Sequence, residues 1–459
     1  MDKSIGILPL YLKLYDDVAP QMRAEIESFY RTIVTQFEVE GLKVVTSDIC
    51  RLEDEFKQAI TTFEEKKVQA IVTLHMAYSP SLESLQPLIN TKLPLIILNT
   101  TPDSFFGPAQ NSDRISFNHG IHGVQDMCSM LLRNDKKYHI ESGHWQKSDV
   151  IKRVTDTVRA IAAANTFYGS SVGTLGGSFK GMGDFQISPA DLESEYGITT
   201  VSFSETETAV TEDNVTKEIN YYKTFMDTSE VPEDILQENA KVSSILRNWT
   251  KKEQLDAFTC NFLSVNKNEA IKRVPFLYAS VGMYEGIGYA GEGDILTALL
   301  VGSLLKLNPE TTFTEIFCPD WDNNRIFLSH MGEINPRICP ETAILREKPY
   351  PYSDALPPVY TTGKCMAGKA LLINLIPLSP KNFRLLICPV TLLEEDDPNF
   401  SNTVRGWMRT SLPIDQFLSE YSKYGGTHHS ALIYNEKVET LITFGEQLGW
   451  DTKVVGEEA

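Results

Sequence analysis

Two carboxylates and two imidazoles in the second half of the chain could together bind a divalent metal ion. They are Glu292 in GYAGEGD, Glu315 in FTEIFC, His330 in RIFLSH and His429 in GGTHH. Carboxylate oxygens and imidazole nitrogens suit an ion such as Mn²⁺ that must also bind oxygen atoms of a substrate. Spacing alone does not establish such a site, because these residues also have structural alternatives.

Three of the four residues can be explained without a metal. Glu292 and Asp294 precede an apolar helix, whose dipole favours acidic residues at its start. Asp294 is predicted to be the N-cap of that helix. Glu315 lies among apolar residues, either on the solvent side of a strand or as a buried acid that needs a partner. His330 follows an alternating run and could be a structural histidine at the end of a strand.

Two pairs of histidines stand close together in the sequence. His428 and His429 are adjacent, and adjacent side chains on an extended chain point to opposite faces, so at most one should easily bind a given ion. His119 and His122 are spaced as on one turn of a helix. No further ligands lie near that pair in the sequence, so a zinc site is not predicted there.

A glycine motif close to Glu292 invites a different interpretation. Gly286, Gly288 and Gly291 satisfy the pattern G-x-G-x-x-G, which binds dinucleotides only where it follows a buried strand. The preceding residues, RVPFLYASVGMYE, are instead typical of a helix. We therefore predict that the glycines let the backbone pass close to a site and present Glu292 to it.

Composition excludes several classes of partner. A chain of 459 residues should form two or three domains. Its formal net charge of −19 argues against nucleic acid or an anionic membrane as the main partner. No apolar stretch approaches the about 20 residues that span a membrane, and no secretory signal is evident. The seven cysteines contain no C-x-x-C pair, so a disulfide framework is not expected and a reducing cytoplasm fits best.

The elements that must position these residues begin with an alternation of strands and helices. Such alternation predicts an open, mostly parallel sheet, whose ligands lie beyond the carboxyl ends of its strands. His75, Asn99 and Thr100 fall at such ends. The predicted strands are 5–12, 42–47, 70–74, 93–98 and 138–141, and the predicted helices are 22–39, 53–66, 82–89, 120–133 and 150–164.

A second α/β unit is predicted to begin at the strand 170–174, which a glycine-rich turn, GGSFKGMG, follows. Beyond residue 310, short β-rich runs such as 370–376 and 383–390 favour a barrel or sandwich. The predicted domains are therefore 1–168, 169–310 and 311–459. Within the second domain we predict strands 199–203 and 257–262 and helices 214–228, 232–250, 269–284 and 294–305.

Several segments together resemble the L-arabinose isomerase family, within the broader L-fucose/L-arabinose isomerase group. They are GYAGEGD, SGHWQ, FTE…LSHM and GGTHH, and the resemblance runs from about Asn118 to Ser430. It implies two consecutive Rossmann-like α/β domains followed by a C-terminal β-barrel-like domain. It also implies one bound divalent ion, typically Mn²⁺, with Co²⁺ and Mg²⁺ as alternatives. The ligands that correspond to those of the family are Glu292, Glu315, His330 and His429.

The same resemblance implies how substrate is bound. Members assemble as trimers or pairs of trimers, so a homotrimer or homohexamer with intersubunit active sites is expected. His122, within NHGIHG, corresponds to a histidine that reaches the sugar site of a neighbouring subunit. Leu12 stands where the family has a sugar-contacting Gln, and His428 is expected to contact the substrate.

The sequence also departs from the family beside its second metal-binding Glu. Acidic and tyrosine residues follow that position in the family, whereas Ile316, Phe317 and Cys318 follow Glu315 here. Together with Leu12, these changes leave the reaction class intact but put L-arabinose itself in question. The sequence does not indicate which sugar is used.

These observations lead to one functional hypothesis and two alternatives. The hypothesis is a cytoplasmic, Mn²⁺-dependent aldose–ketose isomerase that moves a proton between C2 and C1 through an enediolate. A metal would polarise the carbonyl, and Glu292 and Glu315 would transfer protons, with pKa values that their proximity moves apart. A hydride shift stays open. The alternatives are a non-catalytic sugar-binding or sensing protein, and an epimerase or aldolase that uses the same enediolate chemistry.

Overall fold

The computed structural model describes residues 2–204 and 209–456. The chain divides into two compact units, residues 1–162 and 163–459. Each unit has its own parallel sheet, and the second also contains a large mixed sheet. The predicted α/β class is confirmed. Within the described residues, no helix combines the length and apolar character needed to cross a membrane.

The first unit is built on a five-stranded parallel sheet. Its strands are β1 (Ser4–Leu10), β2 (Lys43–Thr46), β3 (Ala70–His75), β4 (Leu95–Asn99) and β5 (His139–Ser142). They lie in the order β2-β1-β3-β4-β5 and all pair in parallel. Every residue of β1 is buried, as in strands that helices cover on both faces.

Helices cover both faces of this sheet. Ile33 packs in one cluster with Ile7, and Phe63 packs in another with Leu8. Because Ile7 and Leu8 point to opposite faces of β1, the two clusters form a core on each side. The helices are α1 (Lys13–Val18), α2 (Arg23–Val39), α3 (Glu53–Glu65), α4 (Ser81–Asn90), α5 (Ile115–Asn118), α6 (Ile121–Arg133) and α7 (Val150–Asn165), which ends in the second unit.

The second unit begins with a four-stranded parallel sheet. Its strands are β6 (Ser171–Leu175), β7 (Thr199–Ser202), β9 (Ala257–Cys260) and β10 (Gly288–Gly291), in the order β10-β9-β6-β7. The helices that accompany it are α8 (Pro189–Tyr196), α9 (Glu212–Tyr222), α10 (Glu233–Lys252), α11 (Phe276–Glu285) and α12 (Ile295–Leu307).

The large mixed sheet holds most of the C-terminal part of the chain. Its strands are β8 (Met226–Asp227), β11 (Thr311–Asp320), β12 (Arg325–Ser329), β13 (Ala343–Glu347), β14 (Val359–Lys364), β15 (Gly368–Ser379), β16 (Asn382–Leu392), β17 (Val404–Thr410), β18 (His429–Tyr434) and β19 (Asp451–Val454). Their order is β19-β16-β15-β18-β11-β12-β17-β14-β13-β8, and β16 also pairs with β17. Two helices, α13 (Ile414–Lys423) and α14 (Val438–Gln447), connect its strands.

Short 3-10 helices complete the described structure. They span Pro20–Met22, Ser112–Arg114, Phe262–Ser264, Pro336–Ile338 and Pro398–Phe400.

Two predicted helices of the second unit are wrong at one end. The helix predicted for 269–284 begins only at Phe276, since Pro275 disfavours helical backbone in the residue before it. The helix predicted for 214–228 ends at Tyr222, because Met226 pairs with Ala343 as a short parallel strand. In the second case a tertiary contact overrides a local preference.

Candidate functional site

Strand β10 presents Glu292 at its carboxyl end. The strand lies directly against α12, where a Cβ on Gly288 would stand 2.1 Å from the carbonyl oxygen of Ala298. Only glycine allows this approach. Helix α11 precedes the strand, as the sequence predicted, so the glycine motif does not have the strand-first order of a dinucleotide site.

Glu292 itself has an unusual backbone conformation. Its φ of +64° lies in the left-handed region, which is uncommon for a residue with a side chain. Two backbone hydrogen bonds fix it there: its N–H donates to Cys260 over 2.9 Å, and its carbonyl accepts from Phe179 over 2.8 Å. Strained backbone of this kind often occurs at functional sites.

Three neighbouring strands bring Glu315, His330 and His429 together. Strand β11 lies between β12 and β18, so Glu315 pairs with Ser329 on one side and with His429 on the other. His330 follows Ser329 directly, and both histidines are buried. Antiparallel register therefore joins residues that are far apart in the sequence.

The side chains of Glu292, His330 and His429 offer donor atoms that all lie within 4.8 Å of one another. Glu315 extends this group, because its Oε2 lies 3.7 Å from Nε2 of His330. On the other side, Oε2 of Glu292 lies 3.6 Å from Nε2 of His429. These separations are too long for good hydrogen bonds and leave room for an ion between the donors.

Two buried carboxylates orient the imidazoles. His330 donates from Nδ1 to Glu333 over 2.7 Å, and His429 donates from Nδ1 to Asp294 over 3.0 Å. Both rings therefore turn Nε2 toward the group. The same carboxylate–histidine arrangement orients metal-binding histidines in general. Asp294 also accepts from Thr297 over 2.8 Å, so its predicted role as N-cap is confirmed.

Nε2 of His429 gives a direct test of whether a metal fits. The atom is buried and has no hydrogen-bond partner among the described residues. A buried polar atom without a partner is costly. Since Asp294 occupies the other ring nitrogen, an ion bound by Nε2 would remove this cost. The donor set thus fits a divalent metal.

The pKa values of the two glutamates move in opposite directions, as predicted. Burial raises the pKa of Glu292, but the hydrogen bond from His428 and the nearby imidazoles outweigh it and leave the pKa below its usual value. At Glu315 burial prevails and raises the pKa. Repulsion from Glu292 is the smallest of the contributions to the pKa of Glu315. The shift therefore comes mainly from burial, and not from the proximity of the two carboxylates that the sequence suggested as its cause.

The prediction that the adjacent His428 and His429 point to opposite faces is wrong: their rings lie side by side, with centroids 4.2 Å apart, and both turn Nε2 toward Oε2 of Glu292. His428 is partly exposed, donates from Nδ1 to Asp184 over 2.6 Å, and places Nε2 3.4 Å from Oε2 of Glu292. Burial lowers the pKa of His428, whereas Glu292 and Asp184 raise it, to about 9 overall. Asp184 directly follows the glycine-rich segment GGSFKGMG, for which the sequence predicted only a turn.

The first unit contains the other two residues predicted to contact substrate. Leu12 is half-buried and follows β1, while His122 is exposed near the start of α6. The ring of His122 lies edge-on to that of His119, with centroids 5.6 Å apart. Tyr15 joins this group through a 2.9 Å hydrogen bond between its hydroxyl and Nε2 of His119.

Replacing Glu333 by Gln should weaken the binding of a divalent ion about tenfold to a hundredfold, because His330 loses its charged orienting partner. Titration calorimetry with Mn²⁺ on protein stripped with EDTA measures the effect. Glu341→Gln is the matched control, since Glu341 is exposed in the same segment. Equal affinities in the two variants would show that Glu333 does not support a metal ligand.

Comparison with known proteins identifies the family. Residues 310–451 match the family model of the L-arabinose isomerase C-terminal domain, and residues 192–308 match that of the L-arabinose isomerase central domain. The two matches together cover more than half of the chain.

Curated relatives extend the similarity over most of the chain. The L-arabinose isomerase of Shouchella clausii is 23% identical over 99% of this chain and 94% of that protein. L-arabinose isomerase 2 of Clostridium acetobutylicum is 22% identical over 91% of this chain and 88% of its own length. The L-arabinose isomerase of Shewanella baltica is 24% identical, covering 85% and 81%. On these matches, the chain belongs to the L-arabinose isomerase family.

Proposed function

We propose that this protein is a divalent-metal-dependent aldose–ketose isomerase. The observation that carries the proposal is the convergence of Glu292, Glu315, His330 and His429, with both imidazoles held by buried carboxylates. Family membership supports the same reaction class, because the curated relatives described above are named L-arabinose isomerases. A protein that only bound sugar would not need a metal-binding group of two carboxylates and two oriented imidazoles.

The four residues would hold the ion, for which Mn²⁺ is the first candidate. When bound, the ion supplies Lewis-acid polarisation of the substrate carbonyl and stabilises developing negative charge. The fit rests on the unpartnered Nε2 of His429 and on the mixed oxygen and nitrogen donors.

Glu292 and Glu315 would carry out the proton transfers. One carboxylate removes the proton from C2 of the aldose while an acid protonates O1, which gives an enediol. The proton on O2 then leaves, and C1 receives a proton, which gives the ketose. The opposite pKa shifts of the two carboxyl groups suit this division between a base and an acid.

The position of Phe317 supports the proposal that the substrate is a sugar other than L-arabinose. A β-bulge between Ile316 and Cys318 leaves Phe317 without a partner in β12, and bulges often redirect a side chain beside a site. Its ring lies 6.5 Å from that of His330 and its side chain is exposed. A phenyl ring offers no hydrogen bond to a sugar hydroxyl, and Leu12 in the first unit offers none either.

The other finer assignments stay predictions. They include the domain limits 1–168, 169–310 and 311–459, the homotrimer or homohexamer with shared active sites, and substrate contacts by Leu12, His122 and His428. For the barrel-like third domain, the support is the sequence of pairings β16-β15-β18-β11-β12-β17, which the pairing of β17 with β16 closes.

The proposal is tested by ketose formation from a panel of aldopentoses and aldohexoses, using protein stripped with EDTA. We expect turnover of at least one sugar after addition of Mn²⁺, and little without it. Co²⁺ and Mg²⁺ in parallel establish the metal preference. No turnover on any sugar with any of the three ions would contradict the proposal and favour the sensor alternative.

A further inference from the structure

The glycine-rich loop of residues 176–185 lies against the candidate metal centre. Phe179 donates its backbone N–H to the carbonyl of Glu292, and Phe185 stacks on the ring of His429, with centroids 5.3 Å apart and planes at 17°. A Cβ on Gly293 would stand 2.2 Å from the carbonyl oxygen of Gly177. The loop therefore contacts the metal-binding segments closely enough to set their positions.

Asp184 makes the most specific contact of this loop. Its Oδ2 accepts two hydrogen bonds from His428, one from the backbone N–H over 3.0 Å and one from Nδ1 of the ring over 2.6 Å. A single carboxylate oxygen thus fixes both the backbone and the ring of the same residue. Charge-assisted hydrogen bonds of this kind hold a side chain in one orientation.

The orientation of the His428 ring determines where its second nitrogen, Nε2, lies relative to Glu292. With Nδ1 held by Asp184, Nε2 of His428 faces Oε2 of Glu292 at 3.4 Å, beside the donor group but not within it. His428 is also partly exposed, unlike the fully buried His429, so a substrate oxygen could reach its Nε2. Small errors in the position of such a group have large effects on rate.

We propose that Asp184 is a positioning residue for the isomerisation: it holds His428 so that Nε2 can donate a hydrogen bond to a substrate oxygen beside Glu292. The inference rests on the proposed function and adds to it a role for the loop 176–185. Asp184 would not be a metal ligand, since its carboxylate accepts two hydrogen bonds from His428.

Asp184→Ala removes both hydrogen bonds and tests the inference. We expect kcat to fall about tenfold to a hundredfold, with a smaller change in KM and an unchanged affinity for Mn²⁺. Asp184→Asn keeps an oxygen acceptor in the same place and should restore part of the loss. The matched control is Asp234→Ala, at an exposed position in the first turn of α10.

A double-mutant cycle separates positioning from a general structural effect. If Asp184 acts through His428, Asp184→Ala should cause little further loss of kcat in protein that already carries His428→Ala. Additive losses of kcat, or a kcat of Asp184→Ala equal to that of the control, would overturn this inference and leave the proposed function standing. Wild-type protein without turnover on any sugar would overturn the proposed function and this inference with it.

Discussion

Replacing Glu292 by Gln should lower kcat for isomerisation by about a thousandfold or more, because a proton-transferring carboxylate is lost together with a metal ligand. The amide has nearly the same size, so packing around the buried side chain should be preserved. Mn²⁺ affinity should also fall. Ketose formation at saturating Mn²⁺ and titration calorimetry measure the two effects separately.

Glu269→Gln is a suitable control for this variant, since Glu269 is exposed in the same unit. It should keep the activity and the metal affinity of the wild type. The thermal unfolding temperature of Glu292→Gln should stay close to that of the wild type in the absence of metal. If the variant is folded, binds Mn²⁺ normally and retains turnover, Glu292 is not part of the site.

Glu315→Gln should cause a loss of kcat of similar size, about a hundredfold to ten-thousandfold. Burial raises the pKa of Glu315, so the carboxyl group holds a proton more readily than an exposed Glu would. The amide cannot exchange that proton. Loss of Mn²⁺ affinity should be partial, because Glu292, His330 and His429 remain as donors.

Isotope incorporation gives this second prediction a mechanistic readout. Wild-type protein working in D₂O should form ketose that carries deuterium at C1. The residual activity of Glu315→Gln in the same solvent should show how much of the proton transfer depends on this carboxylate. Ketose free of deuterium would favour a hydride shift over proton transfer. Undiminished kcat in Glu315→Gln would contradict its catalytic role.

Elements with strong local patterns were predictable from the sequence. The apolar run from Ile5 was predicted to be a strand, and β1 occupies Ser4–Leu10. It ends earlier than the predicted limit of 12 because the chain enters α1 after Leu12. Alternation of such strands with amphipathic helices was sufficient to predict the parallel sheet of the first unit. The helices α13 and α14 were not predicted, since the β-rich runs around them dominated the interpretation.

The candidate site was predictable only in part. Residue types and local motifs pointed to the four donors, but they carried no information about the residues that orient them. Asp184 and His428 are 244 positions apart in the sequence, and Asp294 and His429 are 135 apart. Contacts of such separation depend on strand order and loop packing, which one sequence does not specify. Glu333 lies only three residues from His330, but nothing in the sequence distinguishes it from the other acidic residues.

Anomalous diffraction at the manganese edge from crystals of Mn²⁺-loaded protein tests the central claim most directly. The proposed metal centre predicts one strong peak in the second unit, bounded by side-chain atoms of Glu292, Glu315, His330 and His429. A peak at another position, or no peak in protein that isomerises sugar, would contradict it.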